Sequence, residues 1–245
     1  MPHVTQPPIT LAENDILSGA TIVFDLDGTL VETAPDLLGT LNALLRREGL
    51  PPLTLEIARH LIGQGAKALI ARGFAAAGER LDEQRLEGLF GAFIAHYRAH
   101  IADLSRPFDG VIAALDHLQA AGARLAVCTN KPTDLSVALL KALGMADRFA
   151  AIVGPDVAPA PKPDPRHLIT TIERAGGEVS RAVMIGDSVS DARAARSADV
   201  PLVLVSFGYT DVPARDLLPD SLIDHFDELP AECVRLLTAR SCGSA

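Results

Sequence analysis

The sequence predicts an α/β fold: a parallel sheet covered by helices on both faces, with a helical segment inserted after the first strand. Three observations predict it. Strand-like and helix-like runs alternate from Pro107 to the end of the chain, the pattern of right-handed βαβ units. Between Ala34 and Asp103 every apolar run has helical spacing instead. And 48% of the 245 residues are hydrophobic, enough for one domain with an insert.

The elements follow in order. Residues 1–19 hold three prolines and little pattern, and are expected to form a loose arm with at most one short docked segment. The run "IVFDLDGTL", residues 22–30, opens the core, with residues 20–26 as its strand; a run so apolar is a strand buried on both faces. "APDLLGTLNALLRREG", "LTLEIARHLIG", "GAKALIARGFAAAG" and "LDEQRLEGLFGAFIAHYRAHIAD" are expected helices. After them come "GVIAALDHLQAAG" (helix), "ARLAVCT" (strand), "DLSVALLKALG" (helix) and "FAAIVG" (strand). Then follow "DPRHLITTIERAG" (helix), "AVMIGD" (strand), "VSDARAARSA" (helix) and "PLVLVSFG" (strand), and "SLIDHFDEL" leads to the last helix. The expected division is a core of residues 20–33 and 105–238, a helical cap of residues 34–104, and a flexible tail of residues 239–245.

Composition narrows the function. The formal net charge is -9, with an isoelectric point of about 5.2. Such a surface repels phosphate backbones, so no nucleic-acid partner is expected. Any anion site must then be locally positive or hold a metal. The three cysteines, Cys128, Cys233 and Cys242, form no C-x-x-C pair, so neither a disulfide framework nor a zinc site is expected. No apolar run is long enough to span a membrane, and "MPHVTQPPIT" is not a signal peptide. The expectation is a cytoplasmic monomer or homodimer.

The polar residues that end the strands are the informative ones. Asp is depleted in strands and a buried carboxylate needs a partner, yet the first run ends in Asp25 and Asp27 before the turn Gly28-Thr29. The second strand ends in Thr129, Asn130 and Lys131. The loop after the third carries Asp156 and Lys162, and the fourth ends in Gly186, Asp187, Ser188 and Asp191. In a parallel sheet these groups rise on one edge, where ligands bind. Clustered carboxylates repel unless a cation holds them ionised, and oxygen-only ligands point to a hard ion, Mg²⁺ above all. Hydroxyl, amide and ammonium donors suit a phosphate, so the expected partner is a small phosphorylated metabolite. One of the paired acids can attack phosphorus while the other handles the proton.

Four of these segments, in this order, resemble the motifs of the haloacid dehalogenase superfamily: D-x-D-G-T at Asp25–Thr29, a Thr ending a strand in "VCTNK", the Lys of "PKPDP", and G-D-x-x-x-D at Gly186–Asp191. The resemblance runs from about residue 20 to the last helix and implies a Rossmann-like core with an inserted C1 cap. Within the superfamily, "TLVETAPDL", "LIGQGAKALIARG", "VCTNKP", "IGDSVSDARAA" and "FGYTD" are similar to phrases of the phosphoglycolate phosphatase family. The sequence departs from that pattern in "VET", where an Asp-Ser pair is common, and in the extra prolines of "VGPDVAPAP".

The resemblance implies a Mg²⁺-dependent phosphomonoester hydrolase acting through an aspartyl-phosphate on 2-phosphoglycolate. Asp25 would be the nucleophile and Asp27 the acid and base. The ion would be held by Asp25, Asp187 and the main-chain carbonyl of Asp27. Thr129, Asn130 and Lys162 would hold the phosphoryl oxygens, with Asp191 and Ser188 in support. The cap turn Gly63, Gln64, Gly65 and Lys67 is the expected substrate loop, with Arg72 a turn beyond, because glycines let N–H groups approach an anion. The same motifs leave open a sugar-phosphate phosphatase, a β-phosphoglucomutase-like mutase, or a non-catalytic binding protein. His96 and His100, four apart on a helix, lack a third ligand and are expected to be ordinary cap residues; Cys128 is expected to be a packed thiol.

Overall fold

A computed structural model describes residues 15–210 and 212–243. Six strands form one parallel sheet: β1 (Thr21–Phe24), β4 (Arg124–Cys128), β5 (Ala151–Val153), β6 (Ala182–Gly186), β7 (Leu202–Val205) and β8 (Ser221–Ile223), in the order β5-β4-β1-β6-β7-β8. β1 is central. Its Ile22 lies opposite Leu125 of β4 on one side and Val183 of β6 on the other. The chain therefore leaves β1 toward one edge and later crosses to the other, and that reversal opens a crevice at the carboxyl end of β1.

Side-chain alternation along β1 divides the core. Ile22 and Phe24 join a cluster with α5 (Val111–Ala120), α6 (Thr133–Ala142) and α9 (Leu229–Gly243). Val23 faces the opposite cluster, built with α7 (Pro165–Arg174) and α8 (Val189–Ser197). Successive strand residues point to opposite faces, so a strand covered on both must be apolar throughout. All four residues of β1 are buried.

Between β1 and α5 lie α1 (Ala34–Arg47), α2 (Leu55–Arg59), α3 (Ala66–Ala76) and α4 (Glu83–Ala99). They share a cluster of their own, with Leu41, Ile70, Phe74 and Phe93 fully buried. Pro35 opens α1 where a missing N–H costs nothing, and the Asp82 carboxylate accepts from Arg85 N to start α4. The two crossings into and out of this layer form a short antiparallel ribbon, β2 (Val31–Glu32) with β3 (Arg106–Pro107). Buried Asp36 ties the crossings together, accepting from Ser105 N at 2.8 Å and Ser105 Oγ at 2.6 Å.

The structure differs from the sequence reading in four places. The first strand stops at Phe24 rather than residue 26, because Leu30 N and Val31 N both turn back to Leu26 O. The ribbon and β8 were not foreseen: two- and three-residue strands are too short to show a period. The helix expected over "LTLEIARHLIG" is only Leu55–Arg59. The last helix continues through Gly243, so residues 239–243 are helical rather than a flexible tail, and Arg240 pairs with Asp199 at 3.0 Å. Of the expected arm, residues 1–14 lie outside the described residues, as do tail residues 244–245; Leu17 is fully buried in the core.

Candidate active site

Asp25 follows the last residue of β1, and its N–H still donates to Ile185 O of β6 at 2.8 Å, so the backbone of the neighbouring strand fixes its position. Its Oδ1 accepts from Leu26 N at 2.7 Å and lies 3.0 Å from Lys162 Nζ. Lys162 also donates to Asp191 Oδ1 at 2.6 Å, and its side chain is almost wholly buried. Burial alone would depress the lysine, but the carboxylates of Asp191 and Asp25 outweigh it and raise its pKa above the usual value. The ammonium is therefore a fixed positive charge beside Asp25.

Three contacts hold the lysine loop from behind. Lys162 N donates to Asn130 Oδ1 at 2.9 Å and to His167 Nδ1 at 3.1 Å, and Asn130 Nδ2 donates to Lys162 O at 3.0 Å. The Asn130 side chain, expected to meet phosphate, is thus committed to the Lys162 backbone. His167 Nε2 lies 3.1 Å from Val153 O, which fixes the proton on Nε2. Burial, reinforced by Lys162, pushes this imidazole down to about 4, so it is neutral at physiological pH. Thr129 ends β4, buried, with Oγ1 accepting from Lys131 N at 3.1 Å.

Asp187 ends β6 and is gripped on both oxygens. Thr29 Oγ1 donates to Oδ1 at 2.9 Å and Tyr209 N to Oδ2 at 2.7 Å. Gly28, at a φ of 86°, and Gly208 lie so close that a Cβ would stand 2.6 Å and 2.1 Å from the Asp187 side chain, so both must be glycine. Ser188 caps α8 reciprocally with Asp191, whose Oδ2 accepts from Ser188 Oγ at 2.7 Å and Ser188 N at 3.0 Å. Asp191 thus spends one oxygen on the helix start and the other on Lys162.

Asp25, Asp187 and Asp191 are the one group of acids among the described residues placed to share a metal, with ligand atoms within 4.8 Å of one another. Burial pushes the Asp25 carboxyl up to about 7 against the opposing pull of Lys162. Burial raises Asp187 too, and Asp191 and Asp25 add to it. Carboxylates this costly to ionise fit a bound divalent cation, and their oxygen-only donor set fits a hard one. All three carboxylates also accept hydrogen bonds from the protein, and Asp191 alone among them anchors both Lys162 and the start of α8.

Asp27 is turned out of this cluster. Its Oδ1 accepts from Lys131 Nζ at 2.7 Å. Lys131, the first residue past Asn130, is buried, and its ammonium sits 4.6 Å from the centre of the Tyr97 ring on α4. Sequence reasoning placed Lys131 at a strand end but gave it no role; its position was the available signal. Tyr97 and His167 were missed altogether, since a lone aromatic or His on a helix reads as core, and Tyr209 was seen only within "FGYTD", with no role. Asp156, another strand-end acid, only caps α6, accepting from Thr133 N at 2.8 Å.

The cap covers the crevice. Gly63 and Gly65 line a cavity above Asp25 and Asp27. Gln64 and Lys67 instead line the outer cleft beside Arg193. Lys67 is exposed, paired with Glu87 and 5.1 Å over the Phe90 ring, and Arg72 donates to His60 O at 2.7 Å. Lys67 shares that cleft with Asn130 and Lys162, and its ammonium turns to Glu87 and Phe90 of α4 rather than to the cavity over Asp25. The His96 and His100 rings lie tilted at 32° to each other with centroids 4.5 Å apart, and their ring nitrogens meet Thr40 and Asp103. Cys128 is buried, and that burial pushes its thiol up to about 12.

The haloacid dehalogenase-like hydrolase family model matches residues 20–199. A phosphoglycolate phosphatase of Caulobacter vibrioides is 55% identical over 223 residues, covering 91% of this chain and 94% of that protein. A phosphoglycolate phosphatase of Agrobacterium fabrum is 48% identical over 223 residues, covering 91% and 96%. Among solved structures, a "predicted phosphoglycolate phosphatase" from Haemophilus somnus superposes with a TM-score of 0.81 at 31% identity, over 88% of this chain and 98% of that one.

Proposed function

The chain belongs to the haloacid dehalogenase-like hydrolases, and from that premise we propose that it hydrolyses 2-phosphoglycolate to glycolate and phosphate with Mg²⁺. The observation that carries the reading is the convergence of Asp25, Lys162 and Asp187 at the carboxyl end of the sheet. The names of the relatives at 55% and 48% identity support the substrate.

In this reading Asp25 attacks phosphorus and becomes an aspartyl-phosphate, while Asp27 protonates the departing alkoxide oxygen. Asp27 then takes a proton from water, which cleaves the aspartyl-phosphate and restores Asp25. Lys162 and the Thr129 hydroxyl stabilise the charge on the phosphoryl oxygens, and Asp191 and His167 keep Lys162 aimed. Mg²⁺, held by Asp25, Asp187 and the Asp27 carbonyl, would neutralise phosphoryl charge. Asn130 contributes by anchoring the lysine loop, and its main-chain N–H remains a candidate for phosphate. Residues 34–104 act as the cap that excludes water, hinged at residues 31–36 and 104–107. The absence of any helix long and apolar enough to cross a membrane, among the described residues, and the buried free thiols Cys128 and Cys233 support a cytoplasmic setting.

The test is phosphate release from 2-phosphoglycolate, several sugar phosphates and a nucleotide, with Mg²⁺ or EDTA. The expected result is a strong kcat/KM preference for 2-phosphoglycolate, abolished by EDTA and by Asp25→Asn. Metal-dependent turnover spread over sugar phosphates would overturn the substrate, and turnover surviving in Asp25→Asn would overturn the mechanism.

A further inference from the structure

The cavity above Asp25 and Asp27 has an uneven lining. Leu37, Ile62, Leu69 and Phe93 close it from the cap side, and Lys131 is the one cationic residue on its wall. Apolar walls leave sugar hydroxyls without hydrogen-bond partners, a large penalty for any substrate that carries several. A compact substrate whose second polar group is a single anion meets no such penalty if that anion reaches Lys131.

Two details show that Lys131 is placed for more than neutralising Asp27. Its backbone is tied down, with its N–H on Thr129 Oγ1 at 3.1 Å and its carbonyl accepting from Ser136 Oγ at 3.4 Å, so the ammonium projects from a rigid base. The Tyr97 side chain also lines the cavity and is 1% exposed, and its hydroxyl makes no well-formed hydrogen bond; the charged group beside it is Lys131. A buried hydroxyl that gives up water without gaining a well-formed bond is unfavourable, and a bound acceptor would relieve it. That hydroxyl and the buried cation belong to one locus, since Lys131 Nζ stands 4.6 Å from the centre of the Tyr97 ring.

We propose that Lys131 and the Tyr97 hydroxyl form the recognition site for the substrate's carboxylate and so set specificity; the inference rests on the 2-phosphoglycolate reading and deepens it. The reach is right. Lys131 touches the carboxyl that protonates the leaving oxygen, and in 2-phosphoglycolate the carboxylate is one methylene removed from that oxygen. The ammonium then bridges Asp27 and the bound carboxylate, and the Tyr97 O–H donates to the same carboxylate. Because Tyr97 comes from the cap and Lys131 from the core, a substrate that engages both also holds the cap closed.

The test compares kcat/KM for 2-phosphoglycolate and for ethyl phosphate, which has the same ester but no carboxylate, in the wild type, Lys131→Met, Lys131→Arg and Tyr97→Phe. The ratio of the two values is the readout, so any loss common to both substrates cancels. In Lys131→Met the ratio is expected to fall about 100-fold, through KM, because a buried charge partner is removed. Lys131→Arg should recover part of the ratio. In Tyr97→Phe the expected fall is about fivefold, one neutral hydrogen bond. Binding of 3-phosphonopropionate against propylphosphonate, by calorimetry, should show the same loss without turnover. An unchanged ratio in Lys131→Met, with wild-type preference intact, overturns this inference and leaves the substrate reading standing. A wild type with no preference ends both. If Lys131→Met does not fold, Tyr97→Phe decides: a fallen ratio supports the inference and an unchanged one overturns it.

Discussion

Two walls face each other across the cavity, and they are built on opposite physics. The sheet wall is polar and buried: Asp25, Thr129 and Lys131 line it, and behind Asp25 stand Lys162, Asp191 and Asp187, each of these six at most 7% exposed and held by charge and hydrogen bonds. The cap wall is apolar where it meets the cavity and keeps its charges outside, as in the exposed Lys67–Glu87 pair. Buried charges hold a fixed geometry because moving one strands its partner in a low dielectric, whereas apolar contacts tolerate sliding. The contrast suits the proposed roles of a fixed reaction centre and a cap that closes over it.

The sharpest way to break the contrast is Lys162→Met. It leaves three acids facing one another without their cation. Activity is expected to fall by about 10³-fold, and the metal-free protein to lose about 3–5 kcal/mol at neutral pH, measured by steady-state kinetics and urea unfolding. A loss under tenfold would mean that the sheet wall is not the rigid centre described here.

The next effect is linkage between pH and metal. Asp25 rises from 3.8 to about 7 on folding, so the folded chain holds that proton more tightly than the unfolded chain. Without divalent cation this carboxyl costs stability progressively as pH rises from about 4 to about 7, and the loss levels off above. A cation favours the ionised form and reverses the trend. Mg²⁺ at 100 times its Kd should add about 2.7 kcal/mol at pH 8 and clearly less at pH 5, read as the difference in Tm with and without Mg²⁺. An equal shift at both pH values would separate Asp25 from the metal.

Tyr209 sharpens the comparison at the seam. Its N–H holds Asp187, while its hydroxyl donates to Glu32 Oε1 at 2.6 Å and accepts from Thr33 N at 2.8 Å and Ala34 N at 3.0 Å. Tyr209→Phe keeps the first contact and deletes the others at the start of α1. A stability loss of about 1–3 kcal/mol with less than a tenfold change in kcat is expected from thermal melts and kinetics. The smallest effect belongs to the outer face of the cap. Lys67→Ala removes an exposed pair, and both stability and kcat/KM should stay within about 0.5 kcal/mol of wild type. A large loss there would place Lys67 in the substrate loop.

Much of the site was legible because parallel strands deliver their ends to one edge. Asp25, Asp27, Thr129 and Asp187 could be read as neighbours from three apolar runs, each ending in polar residues. Lys162 was less sharply placed, since it lies in the loop after the third strand rather than at its end and "PKPDP" has no period. What Lys67 meets was not legible, because helical spacing gives a face but not its neighbours; in the structure these are Glu87 and Phe90. Asn130 was read by its chemistry, yet its amide found a nearer partner in the Lys162 backbone.

The sequence by itself determined the alternation of elements, the both-face burial of β1 and the set of acids at the strand ends, because period and polarity are written in contiguous residues. The tertiary structure alone decided the pairings. Lys131 meets Asp27 across 104 residues, Thr29 meets Asp187 across 158, and Tyr209 meets Glu32 across 177. Those meetings depend on strand order and on how the cap folds back over the sheet, and no local pattern encodes either. The physical reason is that hydrophobic burial fixes which faces turn inward, while the partner of each buried charge is set only when the layers close and every polar group must find one.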